Sequence, residues 1–316
     1  MNLSINLRSG HALAIVTGAA HGLGLQASRL LAANGFNLLL VDRDAEAGKA
    51  AQTALRKDHP AQTIEFSELD LSDLDAIRAW TQELRQPRVD VLLNNAGLFP
   101  CFSRRYNAQN CELGLAVGFY GHFALTAGLL PRLLAADAPR VMTVSSIAHA
   151  SGLLDPADPL LLRDYDANRA YSACKLACLM FARELQLQAS THGSNLLSLA
   201  AHPGIARTSI GQYSDNPASR WRHHAIIWAT RMAMRFLGQD AEQGALPLVH
   251  AATDTSLQGG EFIGPGGLFQ FRGPPKVVQA RAQTLARHDA GSIWRMAEKH
   301  TGMRFDWGAS AWQDCA

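Results

Sequence analysis

Apolar positions along this chain come in short continuous runs: "ALAIVT" (12–17), "FNLLLV" (36–41), "TIEFSEL" (63–69), "VDVLLNN" (89–95), "RVMTVSS" (140–146) and "NLLSLAA" (195–201), with "GEFIGP" (260–265) as a seventh. Runs without strict alternation predict strands covered on both faces. The stretches between them are long enough for crossover helices. This pattern predicts an α/β fold: one doubly wound, Rossmann-type parallel sheet of about seven strands, with helices on both faces. Two stretches break the rhythm. Residues 151–168 are rich in Leu, Asp and Pro, and 205–240 contain "HHAIIWATRMAMRFLG". Both read as insertions at one end of the sheet, the second where a substrate cap would sit. Residues 265–316 read as a C-terminal extension, so that 1–316 form one dinucleotide-binding and catalytic domain.

The composition changes this picture little. The chain has 316 residues, 47% of them apolar, and a net charge of +2. That is a globular composition, neither disordered nor nucleic-acid-binding. Five cysteines stand at 101, 111, 174, 178 and 315, with no CxxC pair. This spacing points to reduced thiols and a cytoplasmic setting, with no structural metal site. "MNLSINLRSGHALAIVTG" shows neither a signal peptide nor a membrane-spanning run.

The first strand runs into "TGAAHGLG" (17–24) and then a helical pattern. In that context Gly18 allows the tight turn and Gly22 lets backbone approach a pyrophosphate. Gly24 lets the helix pack on the strand, and the helix N-terminus faces the phosphates. Asp42, at the end of strand two, is placed to accept hydrogen bonds from an adenosine ribose. A 2′-phosphate there would meet like charge, worth roughly 4 kcal/mol at about 4 Å and an effective dielectric of about 20. Arg43 and His21 could offset part of this. The balance favours NAD(H) over NADP(H). Asp70 and Leu71, which end strand three, could reach the adenine. "NNAG" (94–97) ends strand four and would border the cofactor cleft or form a plain turn.

Strand five ends in "VSSIAH" (144–149), and "YSACK" (171–175) opens a later helical pattern. Tyr171 and Lys175 share a helix face at that spacing. A carbonyl that accepts hydride needs a proton, which Tyr171 could supply. A free phenol has a pKa near about 10, and moving it to about 7 takes roughly 4 kcal/mol. The Lys175 ammonium acts in that direction, and Ser146 would hydrogen-bond the substrate oxygen. The pair taken alone would equally suit a core-edge tyrosine and a surface lysine.

"TGAAHGLG", Asp42, "NNAG", "VSS", "YSACK" and "HPGIARTSI" (202–210) occur in this order. Over about residues 10–305 the chain resembles the short-chain dehydrogenase/reductase family. The long interval from Ser146 to Tyr171, "YGHFALT" (120–126) and the tail "GGEFIGPGGLFQFRGPPK…WRMAEKHTG" resemble its retinol-dehydrogenase-like branch. The resemblance implies that Ser146 orients the substrate and Tyr171 is the acid/base. Lys175 would hold the ribose and lower the tyrosine's pKa. Thr17, Gly18, Gly22, Leu23 and Gly24 would form the phosphate turn, and Asn95, Ala96 and Gly97 would border the cofactor. Pro203, Gly204 and Thr208 would lie beside the nicotinamide. Ser145 is the competing serine; the second serine of the pair faces the substrate in similar enzymes. Relatives often pair through the helices corresponding to 110–136 and 170–190, which makes a homodimer possible.

One position departs from the family. Where it carries "VNxxGHF", this chain reads "VGFYGHF", with Gly118 in place of an asparagine that supports a water-linked proton path. Slower turnover, or a cofactor-binding sensor or scaffold without turnover, is the rival reading. For 205–240, three readings stand: packing within the domain, a wall for a lipophilic alcohol or ketone formed with Trp221 and Trp228, or a basic amphipathic membrane contact over 221–237. Phe99 and Cys101, in "LFPCFSRRY" (98–106), and Ile147 are further pocket candidates. The branch resemblance suggests a hydrophobic substrate of retinoid, steroid, fatty or polyketide-like type.

Overall fold

The protein was analysed as a computed structural model that describes residues 12–99, 103–155, 157–207, 239–281, 285 and 289–308. Its strands are β1 (Leu13–Thr17), β2 (Asn37–Asp42), β3 (Ile64–Glu68), β4 (Val91–Asn94), β5 (Arg140–Val144), β6 (Leu197–Ala201), β7 (Ala206–Arg207), β8 (Gln239–Asp240), β9 (Phe262–Pro265) and β10 (Pro275–Val278). Eight of them form one sheet in the order β10-β9-β6-β5-β4-β1-β2-β3, while β7 and β8 pair apart from it. Every pairing from β3 to β9 is parallel. The chain winds outward from β1 to β3, then crosses back to place β4 on the other side of β1. The C-terminal ends of β1 and β4 therefore flank the crevice where such sheets bind ligands.

The apolar runs have a simple cause. Alternate residues of one strand enter two different cores. In β1, Ile15 joins the core that includes Leu92 and Val141, whereas Ala14 and Val16 join the core that includes Leu40 and Leu93. The first core is closed by α3 (Leu74–Glu83), α4 (Leu113–Leu134) and α5 (Ala167–Thr191). The second is closed by α1 (Gly22–Ala33), α2 (Ala45–Asp58) and α6 (Ala241–Thr253). Where both faces are dry, as in β1, β2, β4, β5 and β6, polar alternation has no place, whereas β3, at the sheet's edge, buries Ile64 and leaves Glu65 and Glu68 exposed.

The expectation of about seven parallel strands needs one correction. β10 is an eighth strand, and it runs antiparallel to β9. The run "PPKVV" did not read as a strand because Pro275 cannot donate to a ladder. Proline is confined to sheet edges, and β10 is an edge.

α4 is the only helix among the described residues long and apolar enough to cross a membrane, and it lies largely buried inside the fold. Its segment Ala116–Gly121 is a π-helical turn. The tail returns as α7 (Ala290–Thr301), which packs on α5 and α4. Trp294 stacks on Phe181 at 5.9 Å and meets Phe123 at 5.0 Å, with Phe305 at 4.4 Å. The chain's own tail thus covers this part of the α4 and α5 surfaces.

Candidate active site

The glycine turn has the backbone that its residues suggest. Gly18 (φ 65°) and Gly22 (φ 53°) are left-handed. A Cβ on Gly24 would collide with the Gly18 carbonyl oxygen, so the helix start presses directly on the turn. Asp44, Asp73, Asp166 and Asp289 cap α2, α3, α5 and α7 with side-chain hydrogen bonds. At α1 the N-cap is His21, with no side-chain cap bond and no acid in the first turn. The α1 amides are left without that carboxylate partner.

The turn is bolted to β4. The Thr17 hydroxyl accepts from the backbone N–H of Asn95 (2.9 Å) and Ala96 (3.0 Å), and the Asn95 amide donates to Thr17 O at 2.8 Å. Thr17 Oγ1 also meets His122 Nε2 at 2.9 Å. His122 is buried, and desolvation brings its pKa down to about 4. Neutral His122 faces the Gly118 carbonyl through Nδ1 (3.0 Å), so Nδ1 carries the hydrogen and Nε2 accepts from Thr17.

Asp42 is fixed beside this turn. Its carboxylate accepts from Ala20 N (3.0 Å) and Asp44 N (3.2 Å). His21 lies 3.6 Å from the Asp44 carboxylate. The backbone N–H of Ala47 holds Asp44 below the usual carboxylate range, and His21 adds to this. His21 is therefore already paired with an acid. Asp70 accepts from Ser72 N after β3, while Leu71 is buried in the core, its carbonyl against Gly121.

Across the crevice stand Ser146, Tyr171 and Lys175. Ser145 is buried and donates to the Lys175 carbonyl at 2.7 Å, so its hydroxyl is spent holding α5 to β5. Ser146 opens a 3₁₀ turn, Ile147–Ser151, and accepts from Ala148 N at 3.2 Å. Its proton remains available. Lys175 is buried, donates to Val144 O at 3.0 Å, and sits 5.9 Å from the Tyr171 ring centroid. Burial by itself disfavours its charge. Cys178, Tyr171 and Cys174 act the other way, and its pKa is raised overall.

The sequence profile of the short chain dehydrogenase family matches residues 12–218. The chain belongs to that family. It is 36% identical to human retinol dehydrogenase 13 over 203 residues, 63% of this chain and 60% of that protein. It thus matches less than two thirds of that relative's length. It is 34% identical to mouse polyprenol dehydrogenase over 300 residues, 92% of this chain and 84% of that protein. A crystal structure of an uncharacterised protein from Mycobacterium paratuberculosis superposes with a TM-score of 0.75 at 32% identity, covering 96% of this chain and 97% of that one.

As a short chain dehydrogenase, the protein brings together the turn 17–24, Asp42, 95–97, Ser146, Tyr171 and Lys175 around one crevice. The residues fit a nicotinamide dinucleotide. The left-handed Gly18 and Gly22 and the uncapped α1 amides would hold its pyrophosphate. Lys175 holds a buried ammonium beside Gly97, where a Cβ would stand 3.4 Å from its Nζ. Pro203 and Gly204 follow β6, and His202 fixes them, its Nδ1 accepting from Gly204 N at 3.2 Å. A pocket beside Tyr171 is lined by Leu98, Phe99, Glu112, Leu113, Tyr165 and Ala170. The Phe99 ring stands 5.8 Å from that of Tyr171. Ile147 does not reach this pocket and sits half-buried in the turn after Ser146. Cys101, Thr208, Trp221, Trp228 and the 221–237 stretch lie outside the described residues.

Two contributors do not stand out in the sequence. Glu112 caps α4 by accepting from Leu115 N at 2.8 Å, and burial raises its pKa. Buried His149 faces the Ser146 carbonyl through Nδ1 at 2.6 Å and accepts from Arg281 N through Nε2 at 3.3 Å. It ties the Ser146 turn to the tail. Both residues stand in or near quoted motifs, but nothing in their spacing marks these partners.

Proposed function

We propose that this short chain dehydrogenase interconverts a lipophilic secondary alcohol and its carbonyl with NAD(H), one domain carrying both cofactor and substrate. The observation that carries this reading is Tyr171 at the wall of a small pocket whose lining is mostly apolar but includes Arg105 and Glu112, on the same helix as the buried ammonium of Lys175. Bound nicotinamide would supply hydride exchange at the carbinol carbon. The chain's own groups handle the proton. Ser146, its acceptor side held by Ala148 N, donates to the substrate oxygen as charge develops. Tyr171 gives that oxygen its proton in reduction and takes it in oxidation. Lys175 places its buried ammonium one helical turn from Tyr171. Asp42, with Asp44 on its flank, favours a free ribose over a 2′-phosphate, and pairing of His21 with Asp44 supports NAD(H) further.

The apolar lining by Leu98, Phe99, Leu113 and Ala170 supports a lipophilic substrate. So do relatives named for retinol and polyprenol. The contrary reading, a cofactor-binding protein with little turnover, draws on one observation. The Gly118 carbonyl already faces His122 Nδ1 and accepts from the Cys178 thiol at 3.1 Å, which leaves it no lone pair for a relay water. Tyr171→Phe separates the two. The expected result is oxidation of long-chain or isoprenoid alcohols by the parent. The variant should lose roughly 10²-fold or more of it and still bind NADH. A parent that binds NADH but turns over no alcohol or carbonyl leaves the contrary reading standing.

A further inference from the structure

The turn Gly266–Gly273, between β9 and β10, is hydrogen-bonded at its base, and its tip is left-handed and apolar. Leu268 is 79% and Phe269 72% exposed, among the most exposed large hydrophobic residues described. The turn is pinned at its base by Gly266 N to Pro274 O (2.8 Å) and Gly267 N to Arg272 O (3.1 Å). It is pinned again by Ile205 N to Phe271 O at 3.0 Å. Gln270 turns inward to accept from His202 Nε2 at 3.0 Å. Phe269 (φ 53°) and Gln270 (φ 59°) are consecutive left-handed residues, neither of them glycine. That conformation is disfavoured by the Cβ. Asparagine at 269 would relieve it. Hydration of an exposed phenyl ring is a second disadvantage. The Gln270–His202 hydrogen bond engages no atom of the Phe269 ring.

Charge points to what the tip meets. Residues 262–281 contain Arg272, Lys276 and Arg281 and no acid. All three are exposed, and so is Val277 at 49%. Arg272 follows the tip within the turn, and the Lys276 side chain lies against Gly266 at its base. An apolar wedge flanked by these cations suits the boundary of an anionic bilayer, where Leu268 and Phe269 enter the acyl edge and the cations stay with the headgroups. We propose that Leu268 and Phe269 form a membrane-contact site that seats this protein on an anionic lipid surface. Through Phe271 and Ile205 the wedge is joined to the turn after β6, at the same end of the sheet as Ser146. A bilayer-dissolved alcohol would have a short path to the crevice. The contact itself does not depend on catalytic activity.

The test is co-sedimentation of the full chain with vesicles of phosphatidylcholine containing about one-third phosphatidylserine, and with phosphatidylcholine alone. The parent should bind the anionic vesicles and release with salt. Leu268→Ser/Phe269→Asn should weaken partitioning about tenfold or more while its thermal unfolding is unchanged or raised. Arg272→Glu/Lys276→Glu should weaken it by a comparable factor. A parent that stays in the supernatant overturns the proposal. So does a tip variant that sediments like the parent, which would place membrane contact elsewhere. If sedimentation velocity without lipid shows a parent dimer that the tip variant abolishes, the wedge meets a second copy and the proposal is wrong.

Discussion

The sulfur of Cys174 stands where a side chain at residue 118 would begin: a Cβ built on Gly118 would lie 2.7 Å from it. Cys174 is buried and donates to Gly114 O at 3.4 Å, and its neighbour one turn on, Cys178, donates to Gly118 O. The glycine that departs from the family pattern is thus matched by the thiol packed against it. α4 and α5 approach each other on a glycine–cysteine contact beside Lys175.

Restoring the family's asparagine alone should therefore do harm. Gly118→Asn overpacks this contact and should lower stability by about 1–3 kcal/mol in urea unfolding. Gly118→Asn/Cys174→Ala should recover most of that loss, because the pair couples. Additive effects of the two substitutions would refute the match.

Asp42 should govern cofactor choice. Titration followed by nicotinamide fluorescence should show NADH binding more tightly than NADPH. Asp42→Asn, which keeps an acceptor for Ala20 N, should shrink that preference by about tenfold. Tighter NADPH binding by the parent would mean that Arg43 outweighs the carboxylate.

Stability should fall as the protein is acidified from neutrality. His122 and His202 are both buried, and desolvation brings each to about 4, against about 6.5 when unfolded. Between those values the unfolded chain binds more protons, so folding is favoured above about pH 6.5 and loses support as pH falls towards 4. The two contribute on the order of 3 kcal/mol each. Urea midpoints measured from pH 7 to 4.5 should trace this loss. His122→Gln should start lower and show a shallower slope over the same window.

Trp294 should anchor the tail. It is nearly buried among Phe123, Phe181 and Phe305. Trp294→Ala should destabilise by about 3–5 kcal/mol. Removing residues 289–316 should bare the aromatic face of α4 and α5 and produce self-association in sedimentation velocity. A truncated protein that stays as disperse as the parent would show that this face needs no cover.

Much of this was legible along the chain because its causes are local. The inner parallel strands announce themselves through continuous apolar runs, since both faces of the sheet are dry there. The glycines of 17–24 and the spacing of Tyr171 and Lys175 follow from short-range geometry, and Asp42 stands at a strand end that any reading of β2 would find. What the sequence left open depends on contacts between distant segments. The choice between Ser145 and Ser146 rests on the Lys175 carbonyl, which takes the first hydroxyl. The fit of Gly118 rests on a sulfur 56 positions away in the numbering. The partner of His122 Nε2 is Thr17, and the place of His149 rests on the backbone of Arg281. β10 is a strand because β9 offers it an edge, not because "PPKVV" favours one. Periodicity and turn chemistry specify elements, whereas buried hydrogen bonds and close contacts are set only when those elements meet, and it is there that the crevice acquires its chemistry.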